Sequence, residues 1–496
     1  MDALTAYKKH LAETAKLSSA QALLNWDQQT HMPRKALAFR SQVSGALSKM
    51  IFERSVSDEL GRYLEELEKR ENLTDEERGS VHRVGKNYRR RKAVPPEFVE
   101  EVAIARSSAQ AAWAEAKEAS DYSLFEPHLE KMVGYARRLA DYIGYEDHPY
   151  DTLLEDYEPG MTCAELRGII EPLRQELLPF LERLLRDGAK PESSPFVGSF
   201  DIDVQRRLAH RALEVIGYDF AAGGLDDVVH PFTITIGTGD VRVTNRYVEN
   251  HLGPGLFAAL HEGGHALYNQ GMRESLLPLG LSRGASNGIH ESQSRLIENQ
   301  IGRSRPFWTF FQPVLAEYFP QFSSVAPDAL HAAANIVSPS LIRVEADEVT
   351  YNFHIMLRFE IEMGLLDGSI AVTDLPSLWN ETIERYLGVV PPDDAQGCLQ
   401  DVHWSMGAFG YFPSYMLGNL YAAQLLTAIR KEIPTLDDQV ASGDFGTLLA
   451  WLRREVHDVG AIYEPKELIE RITGETLAPS HFIAYVSEKY SEIYKL

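Results

Sequence analysis

Apolar residues recur at intervals of three and four through most of the chain. The stretches Leu11 to Leu24, Leu60 to Leu67, Phe98 to Trp113, Phe125 to Tyr142, Leu166 to Leu185, Val204 to Val215 and Leu341 to Leu365 all show it, and this spacing predicts a mainly helical protein. Period-two alternation is scarce. Its clearest instance runs from His230 to Tyr247, where two alternating stretches flank Gly237-Thr238-Gly239-Asp240 in the pattern of a hairpin. Directly downstream, Gly253-Pro254-Gly255 opens an apolar-faced segment and Gly271 closes it, so Pro254 to Gln270 reads as one helix. With no internal repeat, low-complexity tract or long linker, the economical reading is a single domain over 1–496: one continuous helical body with a deep cleft.

The hairpin-to-helix segment carries the chemistry. His261-Glu262-Gly263-Gly264-His265 places two imidazoles four residues apart on one helix face with a carboxylate beside them, the pattern of a zinc site with its own general base. Gly263 and Gly264 each cost about 1 kcal/mol relative to Ala inside a helix. They are expected either to leave room beside the metal for substrate or a facing helix, or simply to allow close helix packing.

A catalytic zinc takes three protein ligands and keeps a fourth position for water. Downstream, Ser286-Asn287 can cap a helix through Ile289 to Asn299, which offers Glu291 as the third ligand; His290 is the rival, about 100° away around that helix. Glu298, seven residues on, shares the Glu291 face and is a candidate acceptor for a ligand histidine's second N–H, or an ordinary surface charge. The hairpin's edge strand is expected either to hold a peptide backbone by strand addition or to be a small structural sheet.

Charge narrows the partners. The 496 residues carry a formal net charge of -23, which argues against nucleic acid and anionic membrane, and makes any cluster of Arg and His near the metal informative. No run of about eighteen apolar residues is present and Met1-Asp2-Ala3-Leu4 lacks signal-peptide order, so a cytoplasmic protein is expected. Cys163 and Cys398, far apart, are expected to be reduced thiols. The run Arg89-Arg90-Arg91-Lys92 reads as a solvated helix end.

In combination, His261 to His265 with His290-Glu291-Ser292-Gln293 resembles the M32 family of metallocarboxypeptidases, the thermostable carboxypeptidase Taq type. Leu24 to Gln28, Asp156 to Thr162, His230-Pro231-Phe232-Thr233, Ile342 to Asp347 and Gly397 to Trp404 match the family pattern as well, so the resemblance runs nearly end to end; Asn269 stands where an acidic residue is expected to be common. The resemblance implies a helical, gluzincin-type saddle or clam-like body with a deep active-site groove, a small antiparallel hairpin beside the metal helix, and usually a homodimer. It implies one zinc per chain held by His261, His265 and Glu291, with cobalt able to substitute, and removal of C-terminal residues from peptides with broad specificity, generally not after proline. Glu262 is then the general base. By similarity to related helical gluzincins such as angiotensin-converting enzyme, Tyr411, with Tyr415 as the alternative, is expected to meet the oxyanion, and His403 the substrate backbone. Arg343 is the candidate for the substrate α-carboxylate, its alternative being an i,i+4 pair with Asp347; Arg242 and His230 are secondary candidates for the same pocket. A helical gluzincin of another specificity, such as an oligopeptidase or dipeptidyl carboxypeptidase, would share the metal residues. A catalytically silent binding protein would not need Glu262.

Overall fold

The helical periodicities are realised in a computed structural model that describes residues 2–191 and 195–496. Five of the seven expected stretches lie inside helices, among them Ala3–Gln29, Pro96–Ala119 and Cys163–Asp187, and a sixth begins at Phe125, the N-cap of Glu126–Ile143. Their ends are set locally: Thr74 and Thr162 each form a reciprocal capping box with the glutamate three residues on, Glu77 and Glu165. The seventh differs. The helix starts at Tyr351, not Leu341, because the Asp347 carboxylate turns back to accept from the Val349 and Thr350 amides and breaks the register upstream.

One apolar core runs from Phe98 to Tyr494, with a smaller cluster around Tyr7, Leu60, Leu64, Leu67 and Val81 under the N-terminal helices. The sheet is small: β1 (Leu225–Asp227), β2 (Thr233–Gly237) and β3 (Asp240–Asn245), in the order β1-β3-β2. β2 and β3 form the expected antiparallel hairpin, closed by Thr238-Gly239 with Gly239 at φ 74°, a left-handed conformation that suits glycine. β1 adds a parallel strand that the alternation did not announce, since three residues carry almost no period.

The sheet lies against the helix Leu252–Gly271, which includes the whole of Pro254 to Gln270. His251 caps it, its Nδ1 accepting from the Gly253 amide. Gly271 is its last residue, and its role is packing: a Cβ there would sit 2.4 Å from His457 Nδ1. Facing it, Asn287–Arg295 starts at Ser286, whose hydroxyl accepts from Ile289 N, and then widens into a π-helical turn over Leu296–Ile301, where a continuous α-helix was expected. The helix Pro413–Glu432 packs on its other side.

Candidate metal centre and active site

Two glycines decide how closely these helices approach. A Cβ on Gly264 would come 2.5 Å from the Gln293 carbonyl oxygen and 2.6 Å from Ser294 Cα, and a Cβ on Gly418 would come 2.4 Å from Glu291 Cγ. Glu291 is therefore clamped between the backbones of two neighbouring helices. Gly263 serves packing too, against Leu213 and Ile216; of the two readings of this pair, close approach of a facing element is the one the structure bears.

The approach brings ring nitrogens of His261 and His265 and a carboxylate oxygen of Glu291 within 4.8 Å of one another. His261 Nε2 is 3.7 Å and His265 Nε2 3.3 Å from Glu291 Oε2. His261 and Glu291 are each oriented from behind. His261 Nδ1 lies 2.9 Å from Glu298 Oε2, and Arg303 donates to Glu298 Oε1 at 2.8 Å. Arg295 Nε donates to Glu291 Oε1 at 2.7 Å, which leaves Oε2 as the oxygen turned to the histidines. Burial alone would raise the Glu291 carboxyl, but Arg295 and the two histidines outweigh it and hold it well below the usual carboxylate range. An ionised carboxylate and two imidazole nitrogens converging on one point, one imidazole tied by its far nitrogen to a second carboxylate, fit a zinc-type divalent metal. His290 sits differently. Its ring stacks on His265 at 4.5 Å, its Nε2 is bonded to Asn269 Oδ1 at 3.0 Å, and burial keeps it neutral.

Glu262 is nearly buried, and the Thr233 hydroxyl of β2 lies 2.8 Å from both its Oε2 and its backbone carbonyl. The sheet thus reaches the Glu262 carboxylate directly, a contact of Thr233 that sequence pattern did not signal. The helix Ala3–Gln29 also packs on β2.

The aromatic residues gather on the Glu291 side. The Tyr411 ring is 5.4 Å from His403 and 5.2 Å from Tyr415, and Tyr415 Oη is 3.5 Å from His403 Nε2. Burial raises both phenols, so each is a donor at neutral pH. It lowers His403 to about 4, with Arg343 and Arg358 adding to the effect against Asp401, so this ring is neutral. The segment between His403 and Tyr411 is pinned by Glu362, which accepts from Trp404 Nε1 at 2.8 Å and the Gly410 amide at 3.0 Å. Gly410, at φ 90°, runs so near Leu153 that a Cβ would meet its backbone at 2.8 Å.

Arg343 is buried, and its partner is Asp401 at 2.8 Å, not Asp347; Nη1 donates to Tyr351 Oη at 2.9 Å and the guanidinium lies 4.8 Å from the Tyr415 ring centre. Asp401 also binds Arg358, and these two arginines hold its carboxyl low although burial would raise it. The guanidinium keeps N–H groups beyond those three contacts and faces the same tyrosine as His403. Arg242 lies elsewhere: it chelates Asp240 and stacks over Trp26 at 4.0 Å. His230 is exposed in the loop before β2. Neither shares a contact with Arg343 among the described residues. Cys163 and Cys398 are buried free thiols.

Comparison with known proteins agrees with this geometry. Residues 6–490 match the family described as carboxypeptidase Taq (M32) metallopeptidase. Carboxypeptidase 1 of Bacillus subtilis is 41% identical over 488 residues, covering 98% of this chain and 97% of that protein. Thermostable carboxypeptidase 1 of Pyrococcus furiosus is 40% identical, over 96% and 95%. Among solved structures, an M32 carboxypeptidase from Deinococcus radiodurans superposes with a TM-score of 0.97 at 35% identity, covering 100% of both chains, and a Pyrococcus furiosus carboxypeptidase with 0.96 at 39% identity, covering 99% of both. The helical body, the paired histidines and the facing glutamate are those of a peptide hydrolase, and the chain belongs to the carboxypeptidase Taq (M32) family of metallopeptidases.

Proposed function

We propose that this enzyme is a zinc-dependent carboxypeptidase of broad specificity, excluding bonds after proline, with Glu262 as general base. The observation that carries the reading is the convergence of His261, His265 and Glu291 beside a Glu262 carboxylate that is nearly buried yet held by a single hydroxyl. His261, His265 and Glu291 would hold the metal, which when bound supplies Lewis-acid chemistry toward water and the scissile carbonyl. Cobalt is an alternative occupant.

The chain's own residues divide the remaining work. Glu262 Oε1, free of the Thr233 bond, accepts the proton of the attacking water and returns it to the leaving amine. Tyr411 Oη donates to the developing oxyanion, with Tyr415 the alternative donor, and neutral His403 donates to the substrate backbone. Arg343, held by Asp401 and Tyr351, presents its remaining N–H groups to the terminal carboxylate. Arg242 and His230, the secondary candidates for that carboxylate, are not needed for this step. The protein acts as one catalytic domain, as a cytoplasmic homodimer.

A peptide incubated with the metal-loaded enzyme should give a ladder shortened one residue at a time from the C-terminus, read by mass spectrometry, and the ladder should stop at proline. Amidating the terminus should lower kcat/KM about ten- to a hundredfold, the effect of losing a charge-assisted pair. Arg343→Ala should cleave acid and amide almost equally. Products from internal bonds, or removal two residues at a time, would replace this reading with an oligopeptidase or dipeptidyl carboxypeptidase.

A further inference from the structure

Beside the metal centre a groove of about 690 Å³ opens between the Asp75–Ala93 helix and the loop before Asn287, with Tyr157, Thr235, Asn269 and His290 along its inner wall. Two of its wall residues touch the site already described. Tyr157 stands edge-on to Tyr411 at 5.0 Å, and His290 stacks on His265. In a chain of net charge -23, five cationic side chains line this groove against three carboxylates.

The carboxylates are all engaged. Lys86 pairs with Glu155 at 2.5 Å and Glu464 at 3.0 Å, and Arg90 with Asp156 at 2.7 Å. Arg83 is buried and donates to the Ala285 and Tyr463 carbonyls. Arg91 and Arg283 remain: neither has a side-chain acceptor among the described residues. Arg283 is exposed along the groove, and its guanidinium stays charged at neutral pH although Arg83 and Arg91 lie near it. Its neighbour Gly284 presses on His290, with space for a Cβ only 3.2 Å from that ring. Arg91 and Arg283 are exposed along the groove and have no carboxylate partner among the described residues, so an anion entering it can pair with both.

What anion fits follows from the volume. An enzyme that releases one C-terminal residue needs a single-residue pocket beyond the scissile bond, whereas a cavity of this size accommodates several residues. The groove therefore suits the part of the peptide upstream of the scissile bond, and the Arg343–Tyr415–His403 cluster, none of which lines it, is left for the terminal residue. The geometry points to an upstream subsite in which Arg283 and Arg91 bind the carboxylate of an acidic side chain of the peptide substrate; this rests on the carboxypeptidase reading above.

The test uses acetylated pentapeptides with one shared C-terminal residue and Glu or Gln moved through the upstream positions. Binding is measured by calorimetry in metal-loaded Glu262→Gln, which does not require turnover, and kcat/KM in the parent enzyme. At one or two positions the Glu peptide should bind about tenfold tighter than its Gln partner, less so at high salt. Arg283→Gln with Arg91→Gln should bring the pair within about twofold, while Arg283→Lys, which keeps the charge, should retain most of the preference. Equal binding of Glu and Gln peptides at every position, or a preference that survives the double substitution, overturns the subsite. So does an equal loss on both peptides accompanied by loss of acid-over-amide discrimination, which would make Arg283 the holder of the terminal carboxylate. If C-terminal release itself fails while the Glu preference and its loss on substitution persist, the proposed function falls and the subsite stands.

Discussion

At the scale of single residues, the groups of the candidate metal centre were legible because they are local in sequence, and their supports were not because they are distant. Four-residue spacing announces His261 and His265, and helix phase alone separates Glu291 from His290. Nothing along the chain marks Asp401 as the partner of Arg343, 58 residues away, or Thr233 as the donor to Glu262. Glu298 was legible only as a shared helix face, and the π turn carries it into contact with His261. This contact has a measurable consequence. Glu298→Gln replaces an ionised acceptor that orients the imidazole, and zinc affinity, measured by chelator competition, should weaken about 10- to 100-fold while the fold persists. Glu291→Ala, which removes a ligand, should not retain stoichiometric zinc, and His290→Ala should weaken it less. Equal zinc affinity in Glu298→Gln and the parent would show that the contact does not orient a ligand.

At the scale of elements, helices with strong 3.6-residue patterning are found where expected, and the departures come from side chains that compete for backbone groups or from local packing. Asp347 caps the Tyr351–Asp367 helix and removes the expected turns from Leu341 onward. The pair Gly263-Gly264 was ambiguous in sequence because a missing side chain looks the same whether it makes room for substrate or for backbone. The structure gives Gly264 a backbone neighbour, so Gly264→Ala should push apart the two helices that bring His265 and Glu291 together. Overpacking of this kind costs about 1–3 kcal/mol or more, and here it should lower the melting temperature and zinc affinity together. A variant that keeps both would show that the approach has slack.

At the scale of the whole molecule, buried ionisable groups set the response to acid. Burial pulls His331, His354 and His457 to about 3 and His403 to about 4, from 6.5. The unfolded chain takes up these protons below pH 6.5 and the folded chain does not, so each histidine removes stability as pH falls from 6.5 toward its folded value, with a slope of about 1.4 kcal/mol per pH unit. Glu158 and Glu362, raised by burial from 4.5 to about 7, act in the opposite sense: their contribution is present below 4.5 and lost as pH rises through 7. Four groups outweigh two, and the melting temperature should fall on acidification from pH 6.5 to 4. A flat or rising profile would mean that these histidines are protonated in the folded chain. None of this was visible in composition, which gives 16 histidines without their burial. The run Arg89 to Lys92 is largely the solvated helix end that its composition suggests: Arg89, Arg91 and Lys92 are exposed, whereas Arg90 is half-buried and donates to the Thr152 carbonyl and Asp156.

The central claim is that one carboxylate performs the proton transfer at a metal centre built by three other residues. Glu262→Gln tests it most directly when zinc content and C-terminal residue release are measured on the same sample. The amide keeps the shape and the Thr233 contact but cannot act as a base, so zinc should stay at one per chain while kcat falls about 10²–10⁴-fold. Near-parental turnover with zinc in place would contradict the account.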